Sequence, residues 1–385
     1  MWSPECPKGS RVDPLLSDDQ HLLRETTERF IEKSLPLASV RSLVGSGDGA
    51  DEAYRSQGAE LGWFALLASE ELGGGSISGE GVADAAVLAE VRGWFLQPGA
   101  FVDTNVIIET LANDTSGVDR SEIVGSLLSG EAGASWALAG PGGAWEGGAG
   151  LHWHPQSDGF RLDGRKTLVV EAGDAAWLLT TAEGPDGLAQ FLVASDAPGV
   201  TITGVECFDL TRRFYDVEFK GVELGSDAQV GTLATAPAAF DRQLALASVL
   251  STAECVGAMD HLFELTLEYS KDRIAFGRPI GSFQAVKHQL ADTSLNLEMS
   301  KAAATAAVKA VQVGDQASLE VASIAKSFVS DAAVELAHAC WQNFGGIAYT
   351  WEHDFHLFLR RLTTDASLYG PAAFHRERIC QLEGF

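Results

Sequence analysis

Apolar positions in the first third of the chain recur three and four residues apart. Ser17, Asp18 and Asp19 offer a helix start before LLRETTERFIEKSL, where Leu22, Leu23, Thr26, Phe30 and Ile31 share one face. The same spacing predicts helices over Asp51 to Leu67 and Gly81 to Phe95. Gly73, Gly74 and Gly75 fall between them; no Gly-Lys-Ser/Thr follows, so they read as a helix-to-helix turn and not a phosphate loop. From about Gly133 the period changes. FRLDGRKTLVV, AWLLTTA, AQFLVAS, VTITGVECF and YDVEFKGVEL are short, β-branched or alternating segments punctuated by Gly, Pro and Asp, which predicts an antiparallel β-domain ending near Leu233. After Pro237 the helical period returns and runs to about Arg378. Leu246, Val249, Leu250, Ala253, Val256 and Gly257 form one stripe, and Val321, Ile324, Phe328 and Leu336 another, with breaks at Arg278-Pro279 and Gly345-Gly346. The expectation is an α+β chain in three parts: helical over 1–130, β over 131–236, and an antiparallel helical bundle over 237–385.

Composition narrows the classes. The 385 residues exceed one small core, and 46% hydrophobic with 21% charged is ordinary for a folded protein. No run of about 18 apolar residues appears, and Met1 to Leu15 carries no apolar signal core, so a cytoplasmic protein is expected, off the membrane. The formal charge of −26 repels phosphate backbones, which argues against nucleic acid as a partner. An anionic ligand needs a local basic pocket working against that field. Cys6, Cys207, Cys255, Cys340 and Cys380 are odd in number and scattered, as free thiols in a reducing compartment would be. His353 and His356 have helical ligand spacing but no supporting cluster, so no metal is expected.

Two stretches carry specific chemistry: EYSKDRIAFGRPIGSFQAVKHQLAD, Glu268 to Asp292, and WQNFGGIAYTWEHDFHLFLRR, Trp341 to Arg361. They resemble the acyl-CoA dehydrogenase family, whose patterns have the form Y-x-x-x-R-x-x-F-G-x-P-I-x-x-F-Q and Q-x-x-G-G-x-G-[FY]-[ST]. LGWFALLASEELGGG, Leu61 to Gly75, resembles that family's N-terminal helix pair. The resemblance spans almost the whole chain and implies its fold: an N-terminal helical domain, a middle antiparallel β-domain and a C-terminal four-helix bundle. It implies FAD, with the ADP half held by Arg273, Phe276, Gln284, Gln342, Gly345 and Gly346 against a flavin seated mainly in a neighbouring subunit. The residue chemistry suits this. Arg273 offers a cationic fork for pyrophosphate. Phe276 offers an apolar face to adenosine, and Gly277 lets the chain turn. Gln284 and Gln342 both donate and accept. Gly345 and Gly346 let backbone N–H groups approach a phosphate. Taken singly, Arg273 could instead pair with Asp272, Gln284 could be an ordinary bundle residue, and the glycines could merely end a helix.

The flavin-facing half departs from the family. Where the family has a T-E-P-x-x-G-S-D-like segment, this chain reads ALAGPGGAWEG, with Ala139 for the threonine, Gly140 for the glutamate and Trp145 for the serine. The W-I-T-N-like segment becomes Leu168, Val169, Val170 and Glu171. The family's catalytic glutamate occupies one of two positions, and these hold Tyr369 and Ala247. A tyrosine, with an ordinary pKa of about 10, is a poor base for the α-proton of a thioester. Glu254 and Asp241 are the nearest carboxylates; Glu254 reads as a solvated or paired helix residue, and Asp241 as a helix cap. The chain is therefore expected to contribute no catalytic residue. It would be one subunit of a hetero-oligomeric α2β2 acyl-CoA dehydrogenase, with FAD shared with a partner subunit that supplies the base and the acyl-CoA pocket. The resemblance further implies a steroid side-chain CoA ester as substrate and an electron-transfer flavoprotein as acceptor. A homotetramer with an atypical base and a non-catalytic assembly protein are the alternatives.

Overall fold

The computed structural model describes residues 16–46, 49, 52–315 and 317–385. Met1 to Leu15 with Cys6, and the expected helix start at Asp51, lie outside the described residues. Six helices come first: α1 (Asp18–Ser34), α2 (Leu37–Ser46), α3 (Glu52–Glu60), α4 (Gly81–Trp94), α5 (Phe101–Ala112) and α6 (Ser121–Leu128). Ser17 starts α1 through a capping box: its hydroxyl accepts from the Gln20 N–H, and the Gln20 side chain accepts in return. The buried face of α1 is Leu23, Thr27 and Ile31; Leu22 is exposed, a quarter-turn off the expected stripe. The helix expected to run to Leu67 stops at Glu60. Gly62 there takes a φ of 84°, which right-handed helix excludes.

The middle region holds β1 (Ala134–Ala137), β2 (Leu151–Gln156), β3 (Gly159–Val170), β4 (Trp177–Gly184), β5 (Gly187–Ala194), β6 (Val200–Val205), β7 (Phe214–Leu224) and β8 (Gln229–Val230). They form one sheet in the order β6-β7-β3-β2-β4-β5-β8, with β1 also paired to β4. Most pairings are antiparallel; β4 is the exception, running parallel to both β1 and β2. Alternate residues such as Leu151, Trp153, Leu162, Phe191, Val217 and Phe219 are buried together in the core of this region.

The remainder is helical: α7 (Ala236–Asp272), a hairpin of β9 (Ile274–Ala275) and β10 (Arg278–Pro279), then α8 (Gln284–Val313), α9 (Ala317–Phe344), α10 (Phe355–Asp365) and α11 (Ala372–Leu382). Helices α7, α8, α9 and α11 pack as a bundle, with α10 against α7 and α9. Pro237 lies in the first turn of α7, where its missing N–H costs nothing. Asp241 therefore sits inside this helix and pairs with Arg378 at 2.8 Å; it does not cap. The stripe from Leu246 to Gly257 is buried as expected. On α9 the buried face is Ala322, Ala325, Val329, Ala333 and Leu336, while Ile324 is exposed, because small residues let α9 lie close to its neighbours. Helices α4 and α7 cross at Gly93 and Gly257. A Cβ at Gly93 would run into the Glu254 carbonyl, and one at Gly257 into the Glu90 carbonyl.

Candidate functional site

Two regions bear on function, and they are built in opposite ways. The first is a surface at one end of the bundle. Tyr269 near the end of α7 stacks on Phe344 at the end of α9, with ring centroids 4.4 Å apart. Gln289 in α8 donates to the Ala339 carbonyl of α9 at 3.3 Å. The C-termini of α7 and α9 and the N-terminal half of α8 therefore meet here, and the β9–β10 hairpin projects from them. Its turn is Phe276 and Gly277, both with positive φ (53° and 78°), the signature of a two-residue primed turn. Glycine tolerates this geometry, whereas phenylalanine adopts it at a cost of about 1–2 kcal/mol. Yet the Phe276 ring is 95% exposed. Within its own chain this strained aromatic meets one ring, the edge of Phe283 at 6.2 Å between centroids, and is otherwise open.

Every expected ADP-contacting residue lies on this surface. Arg273 follows α7, its N–H bonded to the Tyr269 carbonyl at 2.9 Å. Its exposed guanidinium makes no hydrogen bond or ion pair among the described residues, Asp272 included. Gln284 begins α8, whose N-terminus has no side-chain cap, and Gln342 lies in the last turn of α9; both are exposed with unengaged side-chain amides. Gly345 has a φ of 62°, which explains its identity. Gly346 is not at positive φ, and a Cβ there would meet nothing within 4 Å, so the chain itself gives no reason for a glycine. Ile274, Tyr349 and Trp351 on the same surface are more than half exposed.

The second region is the junction of β1, β3, α5, α7 and the segment after α10, where the flavin-facing residues were expected. It is filled. Ala139, Trp145, Val170 and Ala247 are buried in one continuous apolar core. The loop from Leu138 to Ala149 is closed on itself. Lys166 donates to the Leu138 and Ala149 carbonyls at 3.0 and 2.8 Å, Thr167 N–H to Ala139 O at 2.8 Å, and the Thr167 hydroxyl to Gly140 O at 3.1 Å. Burial pushes the Lys166 amine down to about 7. Leu168 and Glu171 both take positive φ, and Glu171 is held by Arg213 at 2.5 Å.

Tyr369 stands in this filled junction. Its hydroxyl donates to Asp103 Oδ1 at 2.5 Å, and the Trp136 N–H donates to Asp103 Oδ2 at 3.0 Å. The Trp136 ring stacks along Tyr369 at 6.3 Å and tilts on Phe240 at 6.1 Å. Desolvation pushes the Asp103 carboxyl up to about 6. Desolvation, then the neighbouring Asp103 charge, lifts the Tyr369 phenol well above its usual range, so it is no general base. Asp103 escaped the sequence reading. Its signal was a carboxylate in the first turn of the apolar run FVDTNVIIETLA, on the buried side of the helix, where it needs a buried donor to be tolerated. Glu254 is buried and paired on both oxygens, with Arg212 at 2.5 Å and Arg361 at 3.1 Å; Arg212 also binds Asp365 at 2.5 Å, and Arg361 binds Asp209 at 2.9 Å. Both its oxygens are engaged in ion pairs, the paired option of the sequence reading. His353 and His356 lie against Phe344 and Trp351, and the described residues hold no group of three potential metal ligands.

Fold and site together define a class, and comparison with known proteins places the chain in it. The acyl-CoA dehydrogenase C-terminal domain family matches residues 238–382. The chain belongs to the acyl-CoA dehydrogenase family: it is 32% identical over 370 residues to acyl-CoA dehydrogenase IpdE2 of Mycolicibacterium smegmatis, covering 96% of this chain and 99% of that one. The IpdE2 of Mycobacterium tuberculosis is 30% identical, over 91% and 93% of the two chains. Among solved structures, the Tcur3481-Tcur3483 steroid acyl-CoA dehydrogenase variant is similar, with a TM-score of 0.85, 26% identity, and coverage of 94% and 97%. A chain of the ChsE4-ChsE5 complex from Mycobacterium tuberculosis shares the fold, with a TM-score of 0.84 at 24% identity over 97% and 99%.

Proposed function

We propose that this chain is the non-hosting subunit of a hetero-oligomeric, FAD-dependent acyl-CoA dehydrogenase, and that it donates the ADP-binding half of a flavin site completed by a partner subunit. The observation that carries this reading is the contrast between the two regions. Arg273, Gln284 and Gln342 are exposed and unengaged beside Gly346, whose missing side chain serves nothing in the chain, so this surface fits an ADP moiety. The junction around Trp145 and Tyr369 is packed, with its loop carbonyls engaged by Lys166 and Thr167, so it does not fit an isoalloxazine. FAD, when bound, accepts the hydride leaving the β-carbon of an acyl-CoA thioester. Arg273 would neutralise its pyrophosphate, Phe276 would cover its adenosine, and the Gly345-Gly346 backbone would approach its phosphates. The base that removes the α-proton belongs to the partner.

The same reading divides the chain at 130/131 and 236/237, and it sets the substrate as a CoA ester of a steroid-derived acid, because the Tcur3481-Tcur3483 relative is a steroid enzyme. An electron-transfer flavoprotein would reoxidise the cofactor. No described helix is long and apolar enough to cross a membrane, which accords with work in the cytoplasm. Flavin counting tests the proposal. The chain purified alone is expected to be colourless, and the complex with its partner to hold half as many flavins as chains. A yellow homo-oligomer with one flavin per chain would replace this reading with a homotetramer.

A further inference from the structure

Helix α8 is apolar on two sides. Its inner side buries Leu290, Leu297, Ala304 and Val311. On its outer side Ala291, Leu295, Met299, Ala302 and Ala306 recur three and four residues apart, so they form one stripe, and all five are exposed. Leu295 is 60% exposed and Met299 46%. Along the second half of α9 the exposed positions are Asp331, Glu335, His338 and Gln342, the ordinary polar filling of a solvated face. A helix that is apolar all round is a buried helix, and a contiguous exposed apolar patch on a folded chain marks a contact.

The stripe is symmetric about its own middle. Leu295 and Ala302 lie equally far on either side of the midpoint between Glu298 and Met299, and so do Ala291 and Ala306. We propose that this face of α8 is a contact between two copies of this chain, paired antiparallel about a two-fold axis at that midpoint. Leu295 of each copy then meets Ala302 of the other, large against small. Ala291 meets Ala306, where two small side chains let the helix axes approach. A partner of different sequence would need no such symmetry. Glu298 pairs with Lys301 at 3.1 Å, and Lys301 also with Asp260 at 3.2 Å, so each chain itself answers the charge nearest the axis. The size fits a dimer. With 30 residues α8 is about 45 Å long, so a face one helix wide covers roughly 450 Å2 per copy. The neighbouring α9, with Ile324 44% exposed, widens it to roughly 900 Å2, and a stable dimer takes about 800 Å2 per partner. The stripe starts about two turns along α8 from Gln284, so this contact is separate from the ADP surface and does not rest on the shared-flavin reading.

The test is sedimentation of the purified full chain, from about 1 to about 100 μM. The expected result is a reversible dimer with a dissociation constant in the micromolar range. It should tighten with salt, because two copies of formal charge −26 repel one another. Leu295→Lys puts a charge into the contact and is expected to weaken it by about tenfold or more. Ala302→Leu sets two leucines against each other and is expected to weaken it too. Adding Leu295→Ala to Ala302→Leu restores the large–small pair and with it the dimer. Both positions are exposed in the single chain, so the far-UV spectrum and urea midpoint of every variant should match the wild type. A chain that stays monomeric over this range, a dimer indifferent to Leu295→Lys or to Ala302→Leu, or an Ala302→Leu defect that Leu295→Ala fails to repair would overturn the proposal. Flavin content enters none of these readouts.

Discussion

The bundle end and the β1–α5–α7 junction are where the family resemblance puts the two halves of a flavin site, and in this chain they follow opposite physical rules. At the bundle end, groups that could be satisfied internally are left open: a bare guanidinium, two free amides, and a strained phenylalanine at a hairpin tip. In the junction, groups that could face a ligand are satisfied internally. Asp103 accepts from both Tyr369 and Trp136, Lys166 and Thr167 close the Leu138–Ala149 loop, and Trp145 is buried. A scaffold with no cofactor would have no cause to keep the first region open, and a self-sufficient enzyme could not tolerate the second. This difference is what supports the proposed reading of a flavin site shared with a partner, with the open half directed outward.

The largest expected effect tests whether the buried carboxylates are structural. Glu254 bridges Arg212 and Arg361, and removing one member of a buried ion pair costs about 3–5 kcal/mol, because the guanidinium groups stay buried. Glu254→Gln is expected to lower stability by about that amount in urea unfolding. The assembled complex should turn over at nearly the normal rate. Wild-type stability with collapsed turnover would make Glu254 a base after all, and the comparison of the two regions would fail.

Asp103 offers a pH-resolved version of the same question. Its carboxyl rises from 3.8 to about 6 on folding, so between those values the folded chain holds a proton that the unfolded chain has released. Its stabilising contribution is full below 3.8 and is lost as the pH rises through about 6. A shift of this size corresponds to about 3 kcal/mol. Asp103→Asn removes that titration. The stability difference between wild type and variant is therefore expected to move in the variant's favour by up to about 3 kcal/mol from acid to neutral pH. Asp84 and Asp114, held below the usual carboxylate range by hydrogen bonds that outweigh desolvation, titrate in the opposite sense in both proteins and cancel in the difference. A pH-independent difference would mean that the Tyr369–Asp103 contact is solvated and the junction open.

These two residues also mark the limit of the sequence. The helix–sheet–helix order was legible because burial imposes a period, and the period changes at Gly133 and again at Pro237. The residues expected to hold ADP stood out because they lie in two short runs whose spacing is itself the signal, and the fold brings those runs to one surface. Which turn of a helix faces inward was less so: Leu22 and Ile324 are apolar and yet exposed, since hydrophobicity marks a stripe but packing sets its rotation. The partners of Glu254 and Asp103 were not legible at all. Arg361 lies 107 residues beyond Glu254, and Tyr369 lies 266 beyond Asp103, so no local pattern joins them.

The smallest effect falls on Arg273, and it is the most discriminating because it should appear in only one state of the protein. The guanidinium is exposed and unpaired, so Arg273→Ala removes no internal bond, and unfolding of the isolated chain should shift by no more than about 0.5 kcal/mol. In the proposed complex, the same change would remove the charged hydrogen bond expected to the pyrophosphate and should weaken FAD retention by about 1.5–3 kcal/mol. Lysine restores the charge but not the fork, so Arg273→Lys should recover only part of the loss. The measurement is flavin dissociation from the purified complex at fixed salt. Equal retention in wild type and Arg273→Ala would assign Arg273 to the protein surface alone. Destabilisation of the isolated chain would mean that it is engaged internally, and the bundle end would lose its standing as the open half.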